Sequence, residues 1–188
     1  MGSLDFIKSA EDYYCLGLWL ADGYWWSSSF GLTSTNEILL SRFSKFLTKL
    51  CPDRPIRVRI DEPNKGNYKG NLINKHIFVY SRPLTKAFLG LKQNVKLDIP
   101  KKYIFPYIAG RIDGDGHVDK KYRTGIRIAY STKEDAARDL EILYKLHDSP
   151  ASLYRYHKAN TWVLYFRKAF LKNILYKIAR YSYKLKNL

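Results

Sequence analysis

Hydrophobic and polar positions follow one plan along this 188-residue chain, and the plan is stated twice. An apolar stretch opens each statement and ends in an acid and a glycine. The first is Cys15-Leu16-Gly17-Leu18-Trp19-Leu20-Ala21-Asp22-Gly23, the second Ile108-Ala109-Gly110-Arg111-Ile112-Asp113-Gly114-Asp115-Gly116. Each predicts a helix, and a short hairpin follows, over Tyr24 to Thr35 and over His117 to Thr132. An amphipathic helix comes next. Asn36 can N-cap the first, with Ile38, Leu39, Phe43, Phe46, Leu47 and Leu50 at helical spacing. The second starts near Thr132, with Ala136, Leu140, Leu143, Tyr144 and Leu146 on one side. Strict alternation over Pro55 to Asp61 predicts a strand with Ile56, Val58 and Ile60 on one face and Arg57, Arg59 and Asp61 on the other. A Gly/Asn-rich loop leads to a strand from Lys75 to Tyr80. Ser152–His157 and Thr161–Phe166 repeat this pair around a turn at Lys158-Ala159-Asn160. A last helix closes each statement, beginning near Arg82-Pro83 and near Arg167-Lys168.

Asp22 and Asp115 stand 93 residues apart, close to half the chain, which is the signature of a duplicated domain rather than a solenoid. The expected class is α+β, two αββαββα halves over residues 1–91 and 101–188. Residues 92–100, where Gln93, Asn94, Asp98 and Pro100 interrupt the periodicity, form the expected linker.

Charge narrows the function. Lys and Arg number 33 against 17 acids, for a net +16 and a pI near 9.7. Such an excess implies a polyanionic partner, because neutralising phosphates releases counterions. The second half carries +11 of it and the first +5. A membrane is disfavoured: no basic amphipathic helix shows a clean apolar face, and no uncharged run approaches the ~18 residues a span needs. Cys15 and Cys51 make no C-x-x-C pair, and the N-terminus has neither a basic n-region nor an apolar h-region. An intracellular, unsecreted protein is expected.

The openings also suggest chemistry. Gly17 and Gly110 sit mid-helix, where glycine costs about 1 kcal/mol relative to alanine. That cost is tolerable where two helix backbones must touch. Gly23 and Gly116 suit a left-handed residue ending each helix. Asp22 and Asp115 then lie at helix C-termini, unfavourably near the negative dipole end. Two carboxylates beside exposed carbonyls make a hard-cation site. Asp113 reads as structural, since its counterpart is Leu20. The run from Asp113 to Asp119 fails as a Ca²⁺ loop, with Val118 where glycine is needed and Thr124 where Glu is needed. His76, His117, His147 and His157 show no metal spacing. Trp19, Trp25 and Trp26 read as core or hairpin packing.

Together the two openings resemble the LAGLIDADG homing endonucleases in their single-chain, two-motif form. Ala109, Gly110, Ile112, Asp113, Gly114, Asp115 and Gly116 fit the motif, with Arg111 the odd residue. The first copy departs at Leu16 and Leu20 and keeps Gly17, Ala21, Asp22 and Gly23. The resemblance implies a monomer of two pseudo-symmetric halves, with saddle-shaped antiparallel sheets and the motif helices packed at the interface. It implies Mg²⁺-dependent hydrolysis of both strands of a long double-stranded DNA site, leaving short 3′ overhangs. The last acid of each motif would hold metal, which maps to Asp22 and Asp115, with the carbonyls of Ala21 and Gly114 as further ligands. Mn²⁺ should substitute, while Ca²⁺ should bind without turnover, since it prefers longer bonds and looser geometry. Each sheet would lie in the major groove, offering Arg57, Arg59, Lys75, Lys121, Arg123, Arg127, Arg155 and His157. A strand of about eight residues spans roughly 27 Å, comparable to one duplex turn of roughly 34 Å. Arg82 and Arg167 occupy matching places where the fourth strand meets the last helix, as electrostatic stabilisers of the phosphorane. An RNA maturase that assists intron splicing and a nuclease-dead DNA-binding regulator stay open as rivals. Retention of both acids argues against the second.

Overall fold

The computed structural model describes residues 6–63, 71–93, 97–119 and 125–186. In chain order its elements are α1 (Ala10–Asp22), β1 (Gly23–Trp26), β2 (Ser29–Ser34), α2 (Glu37–Leu50), β3 (Arg57–Asp61), β4 (Asn74–Tyr80) and α3 (Arg82–Gln93). After a 3₁₀ turn at Lys101–Tyr103 come α4 (Ile104–Asp115), β5 (Gly116–Val118), β6 (Ile126–Tyr130), α5 (Lys133–Tyr144), β7 (Ala151–Tyr156), β8 (Thr161–Phe166) and α6 (Lys168–Ala179). The order is αββαββα twice, with a one-turn helix α7 (Tyr183–Lys186) added at the end. Two antiparallel sheets of four strands form, β1-β2-β4-β3 and β5-β6-β8-β7. The fold is α+β, and the strand order is the same in both sheets. No helix among the described residues is long and apolar enough to cross a membrane.

Local signals set the boundaries. The Asn36 side chain accepts from the backbone N–H of Ile38 and Leu39, and Thr132 accepts from that of Asp135, so both middle helices start at true N-caps. The β1–β2 turn needs Ser27 at φ 54°, a left-handed residue without glycine. Gly116 differs from the expectation. Its backbone is extended, at φ −80° and ψ 142°, and it is small for another reason: a Cβ there would lie 2.4 Å from the Ile112 carbonyl oxygen.

The chain folds into two compact units. One comprises Asp22–Gly90 with Phe6 and Ile7; the other comprises Lys8–Ala21 together with Leu91–Leu188. In the first, β1-β2-β4-β3 packs on a phenylalanine cluster in which Phe30 meets Phe88 at 4.4 Å and Phe43 at 6.0 Å between ring centroids. The helix α2 buries Leu39, Leu40, Phe43, Phe46 and Leu47, but leaves Ile38 half exposed. Trp26 is 74% exposed on the hairpin, against the expectation that it packs.

In the second unit α1 and α4 meet backbone to backbone. A Cβ on Gly17 would sit 2.1 Å from the Tyr107 carbonyl oxygen, and one on Gly110 would sit 2.0 Å from that of Tyr14. The same unit buries a charged cluster. Arg111 Nε donates to Asp139 Oδ2 at 2.8 Å, and the hydroxyls of Tyr107 and Tyr130 donate to Asp139 at 2.6 and 2.9 Å. Arg111 is 2% exposed and its guanidinium stacks 4.7 Å from the Tyr130 ring centre. On α5, Ala136 and Leu143 are buried as their spacing predicts, but Tyr144 is exposed, and Arg138, Asp139 and Ile142 are buried beside the cluster. Leu97 and Ile99 are buried, and between them Asp98 pairs with Lys145 at 2.5 Å.

Gly17→Ala and Gly110→Ala should each destabilise the protein by about 1–3 kcal/mol, because neither helix can move apart without opening a packed core. Gly90 in α3 is the control, since a Cβ there meets nothing within 4 Å. Gly90→Ala should be neutral or stabilise by up to about 1 kcal/mol. Chemical denaturation midpoints distinguish the three. Equal effects at all three positions would remove the close-approach explanation.

Candidate metal and nucleic-acid site

Asp22 is the last residue of α1 and Asp115 the last of α4, so each carboxylate follows a helix whose final carbonyls carry negative partial charge. Both are half-buried, Asp22 in the first unit and Asp115 in the second. Burial raises the Asp115 pKa above its ordinary value, opposed by the cationic Arg111, Lys184 and Lys92 nearby. Lys92, at the end of α3, is itself pulled below the usual lysine value by burial. Among the described residues no cluster of three or more His, Cys, Asp or Glu side chains could hold a metal. A divalent ion at either acid would therefore draw on backbone carbonyls, water and phosphate oxygens.

Backbone carbonyls at the end of α4 already bind a cation. Lys184 Nζ donates to Gly114 O and Gly116 O, each at 2.8 Å. The Gly114 carbonyl expected to ligate metal thus carries an ammonium. Asp113 behaves as the structural acid its unmatched counterpart suggests. Its carboxylate accepts from Tyr14 Oη at 2.6 Å, Ser182 Oγ at 2.6 Å, Tyr183 N at 2.7 Å and Lys184 N at 3.0 Å.

Strand register decides which basic residues share the sheet face away from the helices. In the first sheet Arg57 lies opposite Phe78 and Arg59 opposite His76, which in turn pair with Gly31 and Thr33. Arg57 stacks over Tyr80 at 5.2 Å and Arg59 over Tyr24 at 5.5 Å. His76 is nearly buried within a polar chain: Nδ1 meets Thr33 Oγ1 at 2.7 Å and Nε2 meets Asp61 Oδ2 at 2.6 Å. The His76 hydrogen bond, and then Arg59, hold the Asp61 carboxyl below the usual carboxylate range. Lys75 alternates to the other face, where it pairs with Glu37 of α2 at 2.5 Å.

The second sheet repeats the division. His117 and Arg127 face each other across β5 and β6, and with Tyr154, Tyr156, Thr161 and Asp115 they line a concavity of about 250 Å³. This surface joins donors, aromatic rings and one carboxylate. Arg155 pairs with Trp162 on the helix-facing side, with its guanidinium on Asn160 Oδ1 at 2.6 Å. His157 is exposed in the 3₁₀ turn after β7. Arg82 opens α3 and Arg167 immediately precedes α6; both are exposed and stand at matching points after β4 and β8. Lys121 and Arg123 lie outside the described residues. Sequence periodicity missed Lys184, Lys92 and His76. Only the mismatch between Asp113 and Leu20 signalled that the second motif has a further partner.

No family model matches the sequence, and neither does a curated protein. Solved structures do match. The homing endonuclease I-DmoI, in complex with DNA and Mn, superposes with a TM-score of 0.65 at 17% identity, over 90% of this chain and 96% of that one. Its complex with DNA and Ca gives 0.66 at 18%, over 90% and 88%. Full-length DUF199/WhiA from Thermatoga maritima gives 0.62 at 16%, over 95% of this chain and 58% of that one. The chain has the two-motif LAGLIDADG fold.

The raised pKa of Asp115 carries a stability cost with a definite pH dependence. Between its ordinary value and the raised one the folded state holds the proton more firmly than the unfolded state, so stability falls as pH rises through that window and stays lower above it. Asp115→Asn should therefore melt higher than the parent at neutral pH without divalent ions. The difference should vanish near about pH 3, below the ordinary carboxylate range. Melting curves across pH would show instead a constant or reversed difference if the acid were stabilising.

Proposed function

We propose that this protein is a site-specific double-strand DNA endonuclease of the homing type, acting as an intracellular monomer by Mg²⁺-dependent phosphodiester hydrolysis. One observation carries the reading: each of two helices, packed backbone to backbone through Gly17 and Gly110, ends in an acid, Asp22 or Asp115. The surplus of cations and the fold shared with I-DmoI, which has been solved with target DNA and with Mn or Mg, support the substrate and the metal class.

In this reading each repeat serves one strand. Asp22, helped by the Ala21 carbonyl, and Asp115 are the residues that would hold a hard cation. The donor set fits, because the α4 carbonyls beside Asp115 already bind an ammonium. When bound, Mg²⁺ stabilises the leaving 3′-oxygen and lowers the pKa of the attacking water. Arg57, Arg59, Arg127 and His117 face the grooves from the sheets. Tyr24 and Asp61 restrain the Arg59 guanidinium before DNA arrives, which lowers the ordering cost of a base contact. Arg82 and Arg167 meet charge developing on the phosphorane. The ammonium on Gly114 O favours a second reading, a DNA-binding protein of this fold that leaves both strands intact.

Cleavage separates the readings. Selection of cut ends from a randomised duplex library with Mg²⁺ should yield one long site with short 3′ overhangs, which Mn²⁺ also supports and Ca²⁺ only binds. Asp22→Asn and Asp115→Asn should each abolish double-strand cutting of that site while binding stays equal or tightens, because a negative charge beside phosphate is lost. Truncating Arg82 or Arg167 should slow cutting of the saturated complex by about 10²-fold. Full double-strand cutting by either Asn variant, or cutting in EDTA, ends the metal-acid assignment. Binding without any cutting selects the second reading.

A further inference from the structure

We infer that Lys184 is a tethered counter-ion of the second motif, occupying the carbonyls at the end of α4 so that it weakens a divalent ion at Asp115, which must displace it or bind with fewer ligands. The inference rests on the metal-acid reading of the motifs and adds a residue that neither motif contains.

The geometry makes the ammonium part of the motif rather than a passing surface charge. Asp113 accepts from Ser182 Oγ and from the backbone N–H of Tyr183 and Lys184, so it fixes the first turn of α7 beneath α4. Ser182 and Leu185 are buried on either side, which leaves the Lys184 backbone little freedom. From that anchor the side chain delivers Nζ to Gly114 O and Gly116 O, both at 2.8 Å, flanking Asp115 in the chain. These are the carbonyls at the negative end of the α4 dipole, where a cation is most favoured. A strongly hydrated point charge on a flexible stem can hold such a position and still yield it.

The anchoring acid belongs to the second copy alone. Its counterpart, Leu20, is buried and has no oxygen to accept α7 or anything like it. The second motif thus holds, through Asp113, a C-terminal segment with its cation, for which the side chain at the matching place in the first motif offers no acceptor. Two positive centres cannot share Gly114 O. A divalent ion that takes this carbonyl has to move the ammonium, and one that does not must bind with fewer ligands beside a like charge. Either way Lys184 weakens the metal at Asp115 in the free protein.

Mn²⁺ binding to the full chain without DNA, followed by water-proton relaxation, tests this apart from cleavage. Asp22→Asn silences the first motif and serves as the parent. Adding Lys184→Met, which keeps the stem and removes the charge, should tighten Mn²⁺ binding by about tenfold or more. Adding Lys184→Arg, which keeps the charge, should leave it near the parent. Unchanged or weaker Mn²⁺ binding in the Met variant overturns the inference, since a purely structural cap would loosen the end of α4 on removal. If adding Asp115→Asn does not reduce Mn²⁺ binding, the metal-acid reading itself falls and takes the inference with it. Should the Met variant not melt cooperatively, Lys184→Gln, whose amide still donates to a carbonyl without charge, is read on the same criteria.

Discussion

The contact on which the rest depends is the one between two helix backbones. Where Gly17 and Gly110 lack a Cβ, α1 and α4 approach until the carbonyls of Tyr107 and Tyr14 occupy the space a methyl group would fill. That approach is costly in two ways. Glycine mid-helix loses conformational entropy on folding, and packed backbones leave room for only a few side chains at the crossing. Yet it fixes the axial position of both helices, and so of the acid that ends each one. A wider crossing filled with leucines could slide; one with glycine at its centre cannot.

Around this crossing the second unit buries charge. Asp139 takes Arg111 and two tyrosine hydroxyls; burial first, and then the Asp139 charge, raise the pKa of Tyr107 and Tyr130. Arg111 Nη1 has no hydrogen-bond partner among the described residues. A buried ion pair of this kind adds little net stability over apolar packing, but removing one partner leaves the other uncompensated. Here it sets the rotation of α5 and puts a fixed positive charge one helical turn before Asp115. The carboxylate at the end of α4 therefore works in a field of three cations, against the desolvation that burial imposes.

Much of this was legible in the sequence, for identifiable reasons. Alternation over Pro55 to Asp61 put Arg57 and Arg59 on one face, as the register does, because successive side chains of a strand point to opposite faces. The glycines at 17 and 110 announced a close crossing because nothing else justifies glycine there. Lys75 and Arg155 were harder. Each looked like an outward arginine or lysine, but a shift of one position in a strand changes face, and only pairing with Ile60 and Trp162 settles it. For α5, apolar spacing placed Ala136 and Leu143 correctly and Tyr144 wrongly, and it gave no sign that the charged Arg138 and Asp139 are buried beside them. Lys184 left no local pattern at all: its role comes from a contact across 70 residues of chain, hinted at only by an unmatched acid.

The division of the chain has a consequence for anyone who would take it apart. Residues 8–21 precede the first sheet in sequence but pack in the second unit, where eight consecutive residues from Tyr13 to Leu20 are buried. A fragment begun after the first repeat would expose the groove on α4 that α1 fills, along a stripe of bare backbone at Gly110. A fragment ended there would carry α1 with no surface to cover it. Genetic dissection at the midpoint therefore yields two sticky pieces, and a gene that swaps repeats between relatives has to exchange α1 with the α4 it fits. The pair of helices travels as one inheritance.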